Sequence, residues 1–220
     1  VLFRSNKNEG YVINLAEALA NVGEFKTSID YLLQIDSSSK LFLESQNKLF
    51  SIFIRSKNFE NTILLGEKLL NEKLDNISLN KILHNLIYAS LELGNLKKAK
   101  KFFSNLSIGD DNYLFNKAQI HSFEGEIDNA ISCYNKLIKE KRNLTQSFHN
   151  LGLIQSRKNE IDMAIDSFKN ALKHNPDSLD TKKMLGMLEL SQCDFKSGWS
   201  NFLSYTLNPV YTYPFLKNKK

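Results

Sequence analysis

Proline and glycine are scarce in this 220-residue chain, at three and nine residues. Proline breaks helices and glycine loosens both helices and strands, so few interruptions leave room for long helical stretches. Alternation with a period of two, the mark of a half-buried strand, is hard to find. Cysteine is scarcer still. Cys133 and Cys193 lie too far apart to form a disulfide framework or a zinc motif, and they read as small apolar residues in a reducing compartment. Long hydrophobic runs are missing as well. The most apolar stretch, Leu49-Phe50-Ser51-Ile52-Phe53-Ile54, is far too short to span a bilayer. With no signal peptide in view, no membrane insertion and a cytoplasmic location are expected.

A basic face is lacking too. The formal net charge is +5, but Arg4, Lys217, Lys219 and Lys220 at the two ends supply most of it. Elsewhere acids and bases are interspersed, which argues against a nucleic-acid partner. Catalytic signatures are also absent: there is no GxGxxG, P-loop, nucleophile elbow or kinase motif. His84, His121, His149 and His174 show neither HxxxH nor HExxH spacing. No catalytic residue, metal or cofactor is therefore expected. Asp110-Asp111 reads as a turn and helix-start pair.

What is present is an internal repeat. Gly94-Asn95-Leu96-Lys97-Lys98-Ala99-Lys100-Lys101-Phe102-Phe103 aligns with Gly125-Glu126-Ile127-Asp128-Asn129-Ala130-Ile131-Ser132-Cys133-Tyr134. Both align with Asn159-Glu160-Ile161-Asp162-Met163-Ala164-Ile165-Asp166-Ser167-Phe168. Each has a turn residue, an apolar residue two later, Ala three after that and an aromatic four beyond. Extended, the frame gives six units near residues 9–42, 43–79, 80–110, 111–144, 145–178 and 179–207. The spacings run 34, 37, 31, 34 and 34, and an insertion in the Asn71–Ser78 loop followed by a tightened link would explain the irregular pair.

Fixed positions recur through the frame. The seventh reads Leu15, Leu49, Leu86, Lys117, Leu151, Leu185. The seventeenth reads Phe25, Phe59, Leu96, Ile127, Ile161, Phe195, and the twentieth Ser28, Thr62, Ala99, Ala130, Ala164, Gly198. The twenty-fourth reads Leu32, Gly66, Phe103, Tyr134, Phe168, Phe202. Two short antiparallel helices cannot bury their apolar faces alone, whereas stacked neighbours can. Small residues mark places where backbones cross closely, and large ones fill the space opposite.

These residues resemble the tetratricopeptide repeat family. The best match is 145–178, with Phe148, Leu151, Gly152, Ala164, Phe168, Ala171 and Pro176. In the second unit, Gly66 stands where a large residue is expected and Phe50 where a small one is. The resemblance implies an all-α, right-handed superhelical solenoid of about six antiparallel helix pairs over residues 9–207. It also implies a concave face, lined by the first helix of each pair, that binds a protein or peptide. The sixth position reads Asn14, Lys48, Asn85, Asn116, Asn150, Met184. A carboxamide offers a donor and an acceptor together, so Asn14, Asn85, Asn116 and Asn150 could hold an extended backbone or bond to neighbouring repeats. His84, Tyr88, Phe115, Gln119 and His149 are expected on the same face, Tyr88 and Phe115 as apolar anchors. The Lys/Asn clamp of the family's chaperone-tail binders is missing, since Ile13 and Glu17 occupy its first positions.

The segment from Cys193 to Trp199, followed by Tyr205, Tyr211, Tyr213, Pro214 and Phe215, is similar to the last repeat of bacterial proteins in which such repeats precede a glycosyltransferase-like domain. That likeness implies a substrate-recruiting arm with 208–220 as a truncated linker. The bland alternative is a capping helix in which Trp199 fills the apolar face, and an assembly scaffold for envelope or secretion machinery is a third reading. Residues 1–8 read as an N-terminal arm, of which Val1-Leu2-Phe3-Arg4-Ser5 also matches the translation of a sequencing-adapter tail. The expectation carried forward is a non-catalytic protein- or peptide-binding scaffold. Its oligomeric state is not legible.

Overall fold

The structure is a computed structural model that describes residues 6–72 and 74–206. The expected artefact at 1–5 and linker at 208–220, with Tyr211, Tyr213, Pro214 and Phe215, lie outside the described residues, as does the side chain of Tyr205. Among the described residues there are twelve α-helices and no strand. They divide into two compact units, Val1–Leu106 and Ser107–Lys220. The first unit holds α1 (Asn6–Asn21), α2 (Phe25–Leu32), α3 (Phe42–Arg55), α4 (Phe59–Leu69), α5 (Asn76–Glu92) and α6 (Leu96–Phe103). The second holds α7 (Tyr113–Glu124), α8 (Ile127–Lys139), α9 (Leu144–Arg157), α10 (Ile161–His174), α11 (Leu179–Ser191) and α12 (Phe195–Thr206).

The helices pair in chain order, and one backbone device makes each pair. Gly23, Lys57, Gly94, Gly125, Asn159 and Cys193 all have φ between 57° and 87°. This left-handed residue ends the first helix and reverses the chain, as αL residues commonly do at helix C-termini. Two residues later the second helix begins, on Phe25, Phe59, Leu96, Ile127, Ile161 and Phe195. Side-chain caps reinforce some starts. The Asn58, Asp75 and Asn95 side chains accept from the N–H of Asn61, Ser78 and Lys98 at 3.4, 2.8 and 3.0 Å.

The irregular spacing of the third unit has a different cause from the loop insertion expected. The extra residues lengthen α5, the longest helix among the described residues at 17 residues, which starts at Asn76 under its Asp75 cap. The shortening appears at α7, which starts only at Tyr113. The link between α6 and α7 is not tight; it runs from 104 to 112.

Small residues sit where helices of a pair meet. Ser28, Thr62, Ala99, Ala130 and Ala164 have no accessible surface and Gly198 is buried. The two hydroxyls are satisfied locally: Ser28 Oγ donates to the Ala16 carbonyl at 2.6 Å, and Thr62 Oγ1 to the Asn58 carbonyl at 2.8 Å. In the second unit, Phe115, Ala118, Ala130, Tyr134, Leu137 and Ile154 make one cluster, and Ala164, Phe168 and Leu185 a second. At the last pair, a Cβ on Gly186 would stand 2.7 Å from the Phe202 nitrogen, so α11 and α12 touch through backbone. Trp199 does not fill an apolar face as a capping role would require. It is 50% exposed and meets Phe202 edge-on at 6.1 Å.

Candidate functional site

The first helices of the first unit present polar side chains outwards at recurring steps. On α1 these are Asn14, Glu17 and Asn21; on α3, Lys48, Ser51 and Arg55; on α5, Asn85, Tyr88 and Glu92. All nine are exposed or half-buried. Four of them form a grid that sequence reasoning missed. Glu17 takes Lys48 Nζ at 3.3 Å on one oxygen and Arg55 Nη1 at 3.0 Å on the other. Arg55 Nη2 donates to Asn21 Oδ1 at 2.8 Å, and its guanidinium stands over the Phe25 ring at 5.9 Å. Exposed ion pairs of this kind add about 1 kcal/mol at most, so the grid orders the surface more than it stabilises the fold. Its signal was available in the sequence, as the charges Lys48, Glu17 and Arg55 at the sixth, ninth and thirteenth positions of the frame. His84, also half-buried, precedes Asn85 on α5, and the Tyr88 ring meets Phe59 edge-on at 5.6 Å.

The corresponding residues of the second unit are turned largely to internal work. Asn116, expected on a binding face, has no accessible surface, and Phe115 is buried against Tyr134 with ring centroids 6.0 Å apart. Neither can meet a ligand, and both expectations are corrected. Their stretch of α7 faces the core of its own unit, whereas Asn14 and Asn85 do not. Asn150 is half-buried and its Nδ2 donates to Tyr134 Oη at 3.0 Å. Burial holds that phenol protonated. His149 is half-buried; its Nδ1 lies 3.0 Å from Thr181 Oγ1, which in turn meets Ser178 Oγ at 2.7 Å. Burial pushes the imidazole below its ordinary pKa, against a smaller opposing pull from Asp180. Gln119 is half-buried with its Oε1 enclosed.

One set of metal-type ligands occurs among the described residues. His121, Glu124 and Glu126, at the end of α7 and in the turn after it, bring their ligand atoms within 4.8 Å of one another. The sequence reading missed this group because its ligands straddle a turn instead of sharing a helix face. His121 Nδ1 lies 2.7 Å from Glu126 Oε2 and 3.9 Å from Glu124 Oε2, and Asn129 Nδ2 donates to Glu126 Oε2 at 2.9 Å. The contacts of His121 with the two glutamates are ion pairs only when its ring is protonated.

The helix pairs, the left-handed turn within each and the small residues at the crossings define a helical-repeat fold. A family model for the tetratricopeptide repeat matches residues 111–144 and 145–178, and the chain carries two such repeats there. Solved structures extend the likeness. A tetratricopeptide repeat protein from Parabacteroides merdae superposes with a TM-score of 0.74 at 14% identity, covering 94% of this chain and 80% of that one. The Cut9-Hcn1 hetero-tetramer of the APC/C gives a TM-score of 0.62 at 13% identity, covering 94% of this chain and 41% of that one. The fold is thus the all-α tetratricopeptide solenoid type. No helix among the described residues is long and apolar enough to cross a membrane.

Proposed function

We propose that this chain is a protein-binding scaffold whose first unit grips a peptide segment on the outward faces of α1, α3 and α5. The observation that carries this reading is the accessible polar array on those three helices, with Asn14, Asn85, His84 and Tyr88 among it. Exposed or half-buried carboxamides offer both donor and acceptor to a peptide backbone, which makes the grip tolerant of sequence. Tyr88 adds an apolar body with a polar tip, the kind of side chain that anchors interfaces. The equivalent carboxamides of the second unit are buried or bonded internally, so this contact is assigned to the first unit alone.

A peptide phage library selected on the full chain tests the reading. Peptides that bind the wild type should lose about tenfold or more in affinity against Asn14→Ala/Asn85→Ala/Tyr88→Ala, which removes two hydrogen-bonding groups and one anchor. Helical circular dichroism should be unchanged. Selected peptides that bind the triple variant as well as the wild type would place the contact elsewhere.

A further inference from the structure

At the seventh position of the frame, leucine occurs five times in six, and Leu49, Leu86, Leu151 and Leu185 are buried. On α7 the same position is Lys117, and it is exposed. Lys117 lines a hollow of about 320 Å³ in the second unit, between the start of α7 and the end of α8. Ile108, Tyr113 and Leu114 supply its apolar side, and Lys136 and Arg142 two further cations. Ile108 is 81% exposed although it is apolar.

The charges around the hollow are not equally free. Asp110 lines it, but Asp110 Oδ1 already accepts from the Asn112 N–H at 2.8 Å. Arg142 is held by Asp111 Oδ1 at 3.1 Å and by Glu140 at 3.4 Å. Lys136 reaches Glu140 only at 4.0 Å, and Lys117 makes no ion pair among the described residues. Two ammoniums, one unpaired and one loosely paired, therefore border a partly apolar recess. They also act on one neighbour: burial raises the pKa of the Cys133 thiol, while Lys117 and Lys136 pull it down.

We propose that this hollow receives an acidic side chain of a partner protein, with an apolar neighbour of that residue seated on Ile108, Tyr113 and Leu114. The volume is at the lower end of the about 300–1,000 Å³ of ligand pockets, which suits one or two side chains. Lys117 and Lys136 provide the charge complementarity that selects an acid. A nucleic-acid backbone is disfavoured, because a chain of phosphates needs an extended basic stripe, whereas this hollow offers one site with two lightly paired ammoniums. The proposal rests on the reading of the chain as a protein-binding scaffold, but on a surface separate from the array of the first unit.

The test uses Cys133 as a reporter in the full chain carrying Cys193→Ser, where it is the sole thiol. The probes are the acetylated, amidated peptide Gly-Leu-Glu-Leu-Gly, its Gln counterpart and an oligouridine RNA. A carboxylate between the two ammoniums offsets their pull on the thiol, so its thiolate fraction falls and alkylation by neutral iodoacetamide slows. The Glu peptide should protect Cys133 at about tenfold or more lower concentration than the Gln peptide. Lys117→Gln and Lys117→Leu should abolish that difference, and Lys117→Arg should keep it. Equal protection by the two peptides, stronger protection by the RNA, or full protection in Lys117→Leu would each overturn the proposal. The Asn14→Ala/Asn85→Ala/Tyr88→Ala variant separates the two readings. Protection that survives there while no peptide binds the first unit sinks only the first-unit assignment. Peptide binding to the first unit with Cys133 unaffected sinks only this one.

Discussion

Phe50 and Gly66 exchange the sizes that Gly152 and Phe168 have in a later pair. A Cβ built on Gly66 would lie 2.9 Å from Phe50 Cε2, and one built on Gly152 would lie 2.9 Å from Phe168 Cε1. In α9–α10 the ring stands on the second helix and the gap on the first. In α3–α4 the ring stands on the first helix and fills the gap on the second. The unit that looks irregular in sequence is therefore packed by reciprocal substitution, and Phe50 is buried.

This exchange predicts a non-additive pair. Phe50→Ala should cost about 3–5 kcal/mol through lost burial and a cavity. Gly66→Phe alone should also destabilise, by about 1–3 kcal/mol or more, because Phe50 and Leu86 already occupy the space. Together they restore the ring-on-second-helix arrangement, and the double variant should be more stable than Phe50→Ala. Urea unfolding followed by circular dichroism measures all three. A double variant whose losses simply add would mean that the two residues are not filling one another's space.

The same pair shows what was legible in the sequence. Helix pairing was readable, because the turn, the apolar residue two later and the small residue three after that are consecutive local signals. The compensation was not, since residues sixteen apart reveal their contact only once the helices are docked. Likewise the sixth-position asparagines look equivalent in sequence, yet Asn14 is exposed, Asn150 bonds Tyr134 and Asn116 is sealed in the core. Which face of a short helix is covered depends on its neighbours, and a column of identical residues does not encode that. The extra turn of α5 looks like loop in the sequence because its signal is a single residue, Asp75, whose side chain caps the helix by accepting from the Ser78 N–H.

The left-handed turn residue gives a prediction of opposite signs. Cys193 is exposed with φ 62°, while Gly94 at the same frame position has φ 69°. An L residue in this region carries a steric cost of about 1–2 kcal/mol, against about 0.5–1 kcal/mol for the added freedom of glycine in the unfolded chain. Cys193→Gly should be neutral to stabilising, by up to about 1 kcal/mol. Gly94→Ala should destabilise by about 1 kcal/mol through backbone strain alone, since a Cβ there meets nothing within 4 Å. Thermal unfolding midpoints that fall for both, or rise for both, would contradict the shared role of these positions.

His149 predicts a pH dependence. Its folded pKa lies below the ordinary value near 6.5, with burial as the main cause. Between the folded and unfolded pKa values the unfolded chain binds more protons, so stability rises with pH there. The contribution is present above about pH 6.5 and is lost as pH falls from that point through the lower folded value. Urea midpoints at pH 7 and pH 5 should differ more in the wild type than in His149→Gln, where this titration is gone and the other three histidines remain. An equal difference in both proteins would show that the ring titrates alike folded and unfolded.

Asn150 decides whether a sixth-position carboxamide in the second unit is structural. Its Nδ2 donates to Tyr134 Oη at 3.0 Å, and the phenol is otherwise enclosed. Asn150→Ala leaves a buried hydroxyl without its partner, which costs about 1–3 kcal/mol, whereas Tyr134→Phe removes the hydroxyl itself. In Tyr134→Phe, the further change Asn150→Ala should therefore cost much less than it does in the wild type. A double-mutant cycle by urea unfolding should return a coupling of about 0.5–1.5 kcal/mol. A coupling near zero, together with lost affinity for selected peptides in Asn150→Ala, would return this residue to the binding face. Coupling with affinity unchanged makes it a strut between α8 and α9.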